Sequence, residues 1–205
     1  DQAVTFLEQA LNAIEHTPES PERTAEAIDA RFELRNALLP LGQVRLALEH
    51  LREAERLAEA SGDVRRLGWA STSMTNCLVM VGDLGEAHRA GDRAARLADA
   101  SADTALTIVS RTDLGVVNQE RGETERAIVH FREALGRLRP EHGLERFGMS
   151  TPAAIYLRSL LAANLAERGD FAEAIAAGDE AVRMAEAAGL AFGLAAAWVR
   201  LGEVY

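Results

Sequence analysis

Apolar residues recur along this chain at intervals of three, four and seven, the spacing of one face of an α-helix. One such face carries leucine or methionine at positions about forty residues apart: Leu34, Met74, Leu114, Leu161 and Leu201. Four residues further along the same face lie Leu38, Leu78, Leu165 and Tyr205. The pattern predicts a helix that is repeated with small variations.

A second helical pattern lies between these helices and is marked by small residues. Four segments align on the glycines Gly42, Gly82, Gly122 and Gly169. Two alanines, seven positions apart, follow each glycine: Ala47 and Ala54, Ala87 and Ala94, Ala127 and Ala134, Ala174 and Ala181. Seven residues are two helical turns, so each pair lies on one stripe, where a neighbouring helix can approach closely. Each segment is therefore predicted to be the second helix of an antiparallel pair.

The ends of the predicted helices carry turn signals. Each glycine supplies the left-handed residue that commonly ends a helix. The predicted N-caps are Asp63, Asp83, Asp103 and Asp170, together with Ser20 and Thr151, each of which precedes a proline. Glu86 and Glu173 stand three residues after an aspartate, the spacing of a capping box.

These signals predict an all-α fold with about ten helices in a single array over 1–205. The expected helices are 2–16, 21–40, 43–60, 64–81, 84–100, 103–121, 124–139, 151–168, 171–188 and 190–205. The expected pairs are 21–60, 64–100, 103–139 and 151–188, with a loop insertion at 140–150. Segment 1–16 is interpreted as a second helix without its first, and 190–205 as a first helix without its second. We therefore expect the array to be cut within a repeat at both ends.

The repeat resembles the tetratricopeptide repeat. The segment "WVRLGEVY" (198–205) matches the first half of that motif, "AIVHF" (127–131) matches the second, and Leu114-Gly115 supplies the Leu-Gly pair. The chain departs from the pattern in its period of 40 residues instead of 34, and in Asn118 at an apolar position. The resemblance implies an α-α superhelix whose concave face binds a protein or peptide.

A weaker resemblance concerns segments 31–42 and 145–175. They are similar to the C-terminal helical repeats of bacterial class III nucleotide cyclases that are fused to a P-loop ATPase. This resemblance implies the regulatory or sensory part of a larger bacterial signalling protein. The cyclase and ATPase motifs themselves are not in this sequence.

The net charge of −10 makes nucleic acid and acidic membranes unfavourable partners. No apolar run reaches the roughly 18–20 residues of a membrane span. Cys77 is the one cysteine, so no disulfide framework is expected. All 22 basic residues are arginine, which indicates GC-rich coding and a bacterial source, and we expect a cytoplasmic location.

No catalytic constellation is present in the sequence, and we expect no enzymatic activity, metal or cofactor. The sequence "GDLG" (82–85) is neither a P-loop nor a dinucleotide fingerprint, and no H-E-x-x-H or G-x-S-x-G motif occurs. His50 and His130 share one repeat position on the predicted outward side of second helices. Solvated helix histidines explain them better than a metal site.

The register of the resemblance implies a groove along the first helices of the pairs. The predicted partner-binding residues are Phe32, Asn36, Trp69, Thr72, Asn76, Arg111, Thr112, Tyr156 and Ser159, and Ala163 shares this face. Amides can bond an extended peptide backbone while aromatic residues anchor its side chains. Alternatively, the aromatic residues fill gaps between helices, and the arginines at one repeat position (Arg31, Arg111 and Arg158) form ion pairs within the array.

Two functions fit this surface. The first is a non-catalytic module that binds a protein or peptide, or another domain of the same chain. The alternative is a small-molecule sensor that uses the same groove. In addition, Trp198, Leu201 and Tyr205 are predicted to pack on the preceding second helix on one side and to contact another copy on the other, giving a homodimer.

Overall fold

The computed structural model describes residues 2–139, 142, 144–149 and 151–202, without the side chains of residues 196, 200 and 201. Ten helices lie in these residues: α1 (Gln2–Glu15), α2 (Pro21–Leu38), α3 (Val44–Ser61), α4 (Val64–Val81), α5 (Leu84–Ser101), α6 (Thr104–Glu120), α7 (Thr124–Arg137), α8 (Ala153–Arg168), α9 (Phe171–Ala187) and α10 (Ala191–Gly202). A single turn of 3₁₀ helix, Leu39–Leu41, follows α2. The described residues contain no β-strand, and the predicted all-α fold is confirmed.

Most of the predicted helix ends are confirmed by their hydrogen bonds. Ser20, Asp63, Asp83 and Asp103 each accept a hydrogen bond from the backbone N–H three residues further on. Gly82 and Gly169 end their helices in the left-handed conformation, with φ of 81° and 93°. The helix boundaries follow from local chemistry because each cap satisfies a backbone group that the helix leaves without a partner.

Other predicted caps are wrong. Helix α8 begins at Ala153 with Pro152 at the cap position, and Thr151 makes no cap. Asp170 occupies a cap position, but its carboxylate pairs with Arg168.

The predicted capping boxes are not completed either, because both glutamates meet an arginine from the preceding second helix. Glu86 pairs with Arg52 at 3.4 Å, and Glu173 pairs with Arg132 at 2.6 Å. A charged partner on a neighbouring helix competes with the local backbone for each carboxylate.

The chain forms two compact units, Asp1–Leu106 and Thr107–Tyr205. In the first unit, consecutive helices from α1 to α5 pack against one another in pairs. The small-residue stripes lie inside these contacts: Ala47, Ala54, Ala87 and Ala94 are all fully buried. The prediction that these alanines permit close helix packing is therefore confirmed in this unit.

The second unit repeats the arrangement with α7 to α10. Its alanines Ala127, Ala134, Ala174 and Ala181 are also fully buried, and Phe131 is the largest fully buried side chain of its core. In the loop insertion, Phe147 and Met149 are half-buried against this core, because the contact removes part of two apolar side chains from water.

The cap of α4 gives a prediction about acid stability. Asp63 accepts hydrogen bonds from Arg66 at 2.9 Å (backbone N) and 2.8 Å (Nη1). Burial of the Asp63 carboxyl alone would raise its pKa. The hydrogen bonds from Arg66 outweigh burial and hold the pKa below the ordinary value of 3.8. The ionised carboxylate therefore stabilises the fold above pH ~4, and this contribution is lost as the pH falls through the lowered pKa.

Asp63→Ala is expected to lower the free energy of unfolding by about 1–2 kcal/mol at pH 7. The difference from the natural sequence should shrink as the pH falls below ~4, measured by urea unfolding at several pH values. Asp179→Asn on the exposed side of α9 is the control, and should change stability little at any pH. An Asp63→Ala deficit that stays constant down to pH 3 would contradict the assignment.

Candidate functional site

In the first unit, an arginine joins the two asparagines of the predicted amide ladder. Arg35, in the last turn of α2, donates from Nη1 to Asn36 Oδ1 at 3.0 Å and from Nη2 to Asn76 Oδ1 on α4, also at 3.0 Å. Asn36 is exposed, whereas Arg35 and Asn76 are half-buried. Two equivalent positions of successive repeats are thus linked by one guanidinium group.

This link fixes the direction of both amides. A guanidinium group only donates hydrogen bonds, so both amide oxygens must face it and both NH₂ groups must point elsewhere. Neither NH₂ group donates a hydrogen bond to another described residue. The surface therefore offers hydrogen-bond donors beside a positive charge. Arg35 was not among the predicted site residues.

The remaining predicted residues of the first unit are buried or half-buried. Phe32 is half-buried and packs against the cluster of Ile28, Ala54 and Ala58. Trp69 is half-buried with a buried indole nitrogen, and Thr72 is buried. The packing of Phe32 therefore fits the alternative interpretation, in which the aromatic ring fills a gap between helices.

In the second unit, the predicted hydroxyl groups bond within their own helices. Thr112 Oγ1 donates to the Ile108 carbonyl at 2.7 Å, and Ser159 Oγ donates to the Ile155 carbonyl at 3.0 Å. Tyr156 is half-buried against the core of this unit. That these three residues contact a bound partner stays a prediction.

In the second unit, the side-chain amide of Gln119 is also oriented by a hydrogen bond. Gln119 was not among the predicted site residues. Asn164 Nδ2 donates to Gln119 Oε1 at 2.7 Å and to the Leu160 carbonyl at 2.9 Å. Asn164 is fully buried on α8, whereas Gln119 is half-buried on the predicted groove face of α6. Because its oxygen is engaged, Gln119 presents its NH₂ group, as Asn36 and Asn76 do in the first unit.

The arginines at the shared repeat position are held within the units. Arg31 pairs with Glu15 at 2.7 Å, and its side chain is only 7% exposed. Arg111 lies 3.4 Å from Glu133, and Arg158 donates to the Ala154 carbonyl at 2.8 Å. The ion-pair interpretation therefore fits Arg31 and Arg111 better than reception of an acidic ligand. Arg111 remains a site residue only as a prediction.

The histidines are less exposed to solvent than the repeat pattern predicts. His50, His88 and His130 are all half-buried. Burial, assisted by the Arg31 charge, lowers the pKa of His50. Within the described residues, no three side chains of the metal-ligating types come together, and no helix is long and apolar enough to cross a membrane.

Two cavities of the surface are lined by residues other than the oriented asparagines. One cavity of about 520 Å³ in the first unit is lined by residues of α3, the end of α4 and the start of α5, including Arg45, Glu49 and Asp83. A smaller cavity of about 280 Å³ in the second unit is lined by Ala163, Ala166, Glu167 and Phe171. The predicted groove position Ala163 thus borders a cavity.

No protein-family model and no curated protein sequence matches this chain. Among solved structures, BtubC (BKLC) from P. vanneervenii is similar, with 15% identity, a TM-score of 0.79, and coverage of 100% of this chain and 82% of that chain. The TPR-like repeats of a putative kinesin light chain from Podosopora anserina share 16% identity and a TM-score of 0.69, covering 92% of this chain and 88% of that chain.

A third similar structure is the Rap conjugation gene regulator of the plasmid pLS20 in complex with the Phr* peptide. It shares 20% identity and a TM-score of 0.71, covering 91% of this chain and 49% of that chain. The present chain therefore spans about half the length of that regulator. These likenesses establish the tetratricopeptide-like fold that the sequence resemblance implied. They do not support the link to cyclase–ATPase proteins.

Proposed function

We propose that this chain is a non-catalytic module that binds a peptide, or an extended segment of a protein, along the first helices of its pairs. The observation that carries the proposal is the Arg35 link between Asn36 and Asn76. It engages both amide oxygens and leaves the NH₂ donors of two successive repeats available for a ligand. An extended peptide presents carbonyl acceptors at regular intervals and matches such a surface.

This surface suits an extended peptide better than a compact small molecule. Two oriented donors on separate helices suit an elongated ligand with several acceptors, whereas a small polar ligand needs an enclosed pocket. The neighbouring Rap regulator, solved with the Phr* peptide, supports this choice by analogy of fold. We further propose that the module regulates a larger bacterial, cytoplasmic signalling protein.

The test is selection from a random heptapeptide library displayed on phage, with the intact chain immobilised. Enriched peptides should share a sequence pattern and bind the purified chain in solution. Asn76→Ala should weaken their binding about tenfold, because it removes a preorganised donor and leaves Arg35 with an unused one. Isothermal titration calorimetry would measure the change.

Asn12→Ala on the exposed side of α1 is the matched control, since it removes the same chemical group away from the predicted groove. It should leave both binding and thermal unfolding unchanged. The proposal fails if no peptide pattern is enriched. It also fails if the enriched peptides bind the Asn76→Ala and Asn12→Ala variants equally well.

A further inference from the structure

The smaller cavity of the second unit has an apolar floor and an acidic rim. Ala163 and Ala166 are small residues on α8, and they leave space where larger side chains would fill the surface. Phe171, the first residue of α9, forms a wall and is 56% exposed. Glu167 completes the lining and is also exposed. The cavity volume of about 280 Å³ can accept one long side chain of a ligand.

Glu167 differs from two neighbouring acidic residues because no cationic side chain of the described residues pairs with it. Asp170 pairs with Arg168, and Glu173 pairs with Arg132. In the part of the chain that the structure describes, the one hydrogen bond of Glu167 comes from Thr124 Oγ1, at 3.3 Å from Oε2. A neutral hydroxyl group leaves the carboxylate charge uncompensated. The rim of the cavity is therefore negative.

We infer that this cavity selects an arginine or lysine side chain of the bound peptide, an inference that rests on the proposed function. The aliphatic stem would lie on Ala163 and Ala166, and the charged end would reach Glu167. Phe171 adds an aromatic ring, over whose face a guanidinium group packs favourably. The net charge of −10 attracts the same class of ligand.

The position of the cavity connects it with the peptide path. Ala163 lies on the predicted groove face of α8, and Ala166 occupies the repeat position that Gln119 occupies on α6. The amide oxygen of Gln119 is engaged by Asn164, which leaves the NH₂ group of Gln119 available to a peptide carbonyl. A peptide whose backbone bonds to Gln119 can therefore place one side chain toward the neighbouring helix and into the cavity.

The experiment uses two capped pentapeptides as probes, acetyl-Gly-Ala-Arg-Ala-Gly-amide and its citrulline analogue, which has the same shape without the charge. Titration of the intact ¹⁵N-labelled chain should shift the amide signals of Ala163, Ala166, Glu167 and Phe171. The arginine peptide should bind about fivefold more tightly than the citrulline peptide. Glu167→Gln should reduce this preference to less than about twofold.

Glu186→Gln, an exposed glutamate of α9, is the control for the change in net charge and should keep the preference. Equal binding of the two probes, shifts confined to other residues, or no binding by either probe would overturn the inference. The proposed function is tested separately by the library selection. It survives such a result if that selection yields peptides sensitive to Asn76→Ala, and it fails if no pattern is enriched or if the enriched peptides bind the Asn76→Ala and Asn12→Ala variants equally well.

Discussion

Ala127→Trp is expected to unfold the second unit or to destabilise it by more than about 3 kcal/mol. Ala127 is fully buried on α7, in the core of that unit, and it belongs to the stripe of small residues that recurs in the other helix pairs. An indole at this position is expected to push the packed helices apart, because protein cores contain few voids larger than a water molecule. Urea unfolding followed by circular dichroism measures the loss.

The control for this change is Val129→Trp on the same helix. Val129 is 52% exposed, so the larger ring can extend into solvent. The stability of this variant should stay within about 0.5 kcal/mol of the natural sequence. If Ala127→Trp melts at the same temperature as Val129→Trp, then small size at the repeated alanine positions is not what permits the helix contact.

The repeated features of the fold were predictable because the residues that form them recur several times in the sequence. Ala54 and Ala134 stand eighty residues apart in equivalent segments, and each is fully buried in its own unit. A residue type that returns at a fixed interval identifies a structural requirement common to all units. The helix ends were predictable for a related reason, since caps depend on three or four adjacent residues.

Features that occur once were not predictable in this way. Arg35 occupies a repeat position at which the other units have Thr75, Gly115 and Ala162, so no periodic signal marks it. Its role depends on its hydrogen bond to Asn76, which lies forty-one residues further along the chain. A long polar side chain next to a predicted ladder asparagine was the one available signal.

The loop insertion shows a different limit. Phe147 and Met149 lie in a segment without helical periodicity, so the directions of their side chains could not be predicted from a pattern. Both side chains pack against the core of the second unit, whose buried residues include Ile108 on α6, Phe131 on α7 and Leu157 on α8. The predicted homodimer also stays untested, because Leu201 and Tyr205 provide part of its surface and their side chains lie outside the described residues. Trp198 is 52% exposed.

Phe131→Ala is the second large change, with an expected loss of about 3–5 kcal/mol. Phe131 is fully buried on α7, and its ring lies against Gly115 of α6. A Cβ atom at Gly115 would come within 2.4 Å of Phe131 Cε1 and 2.7 Å of Cδ1. The Phe131 ring therefore leaves no space for a side chain at residue 115, and removal of the ring should create that space.

This reasoning predicts that Gly115→Ala changes sign with its background. In the natural sequence, it should destabilise the unit by about 1–3 kcal/mol, because the added methyl group collides with the ring. In the Phe131→Ala background, it should stabilise by up to about 1 kcal/mol, since alanine favours the helix and partly fills the space left by the ring. A double-mutant cycle by urea unfolding measures the coupling.

Gly136→Ala provides the reference for this cycle. Gly136 lies near the end of α7, and a Cβ atom there would meet no heavy atom within 4 Å. Alanine should therefore stabilise the helix by about 0.5–1 kcal/mol in both backgrounds. If Gly115→Ala behaves like Gly136→Ala in the natural sequence, the ring does not occupy that space. If Gly115→Ala destabilises equally with and without Phe131, the glycine is needed for a reason other than the ring.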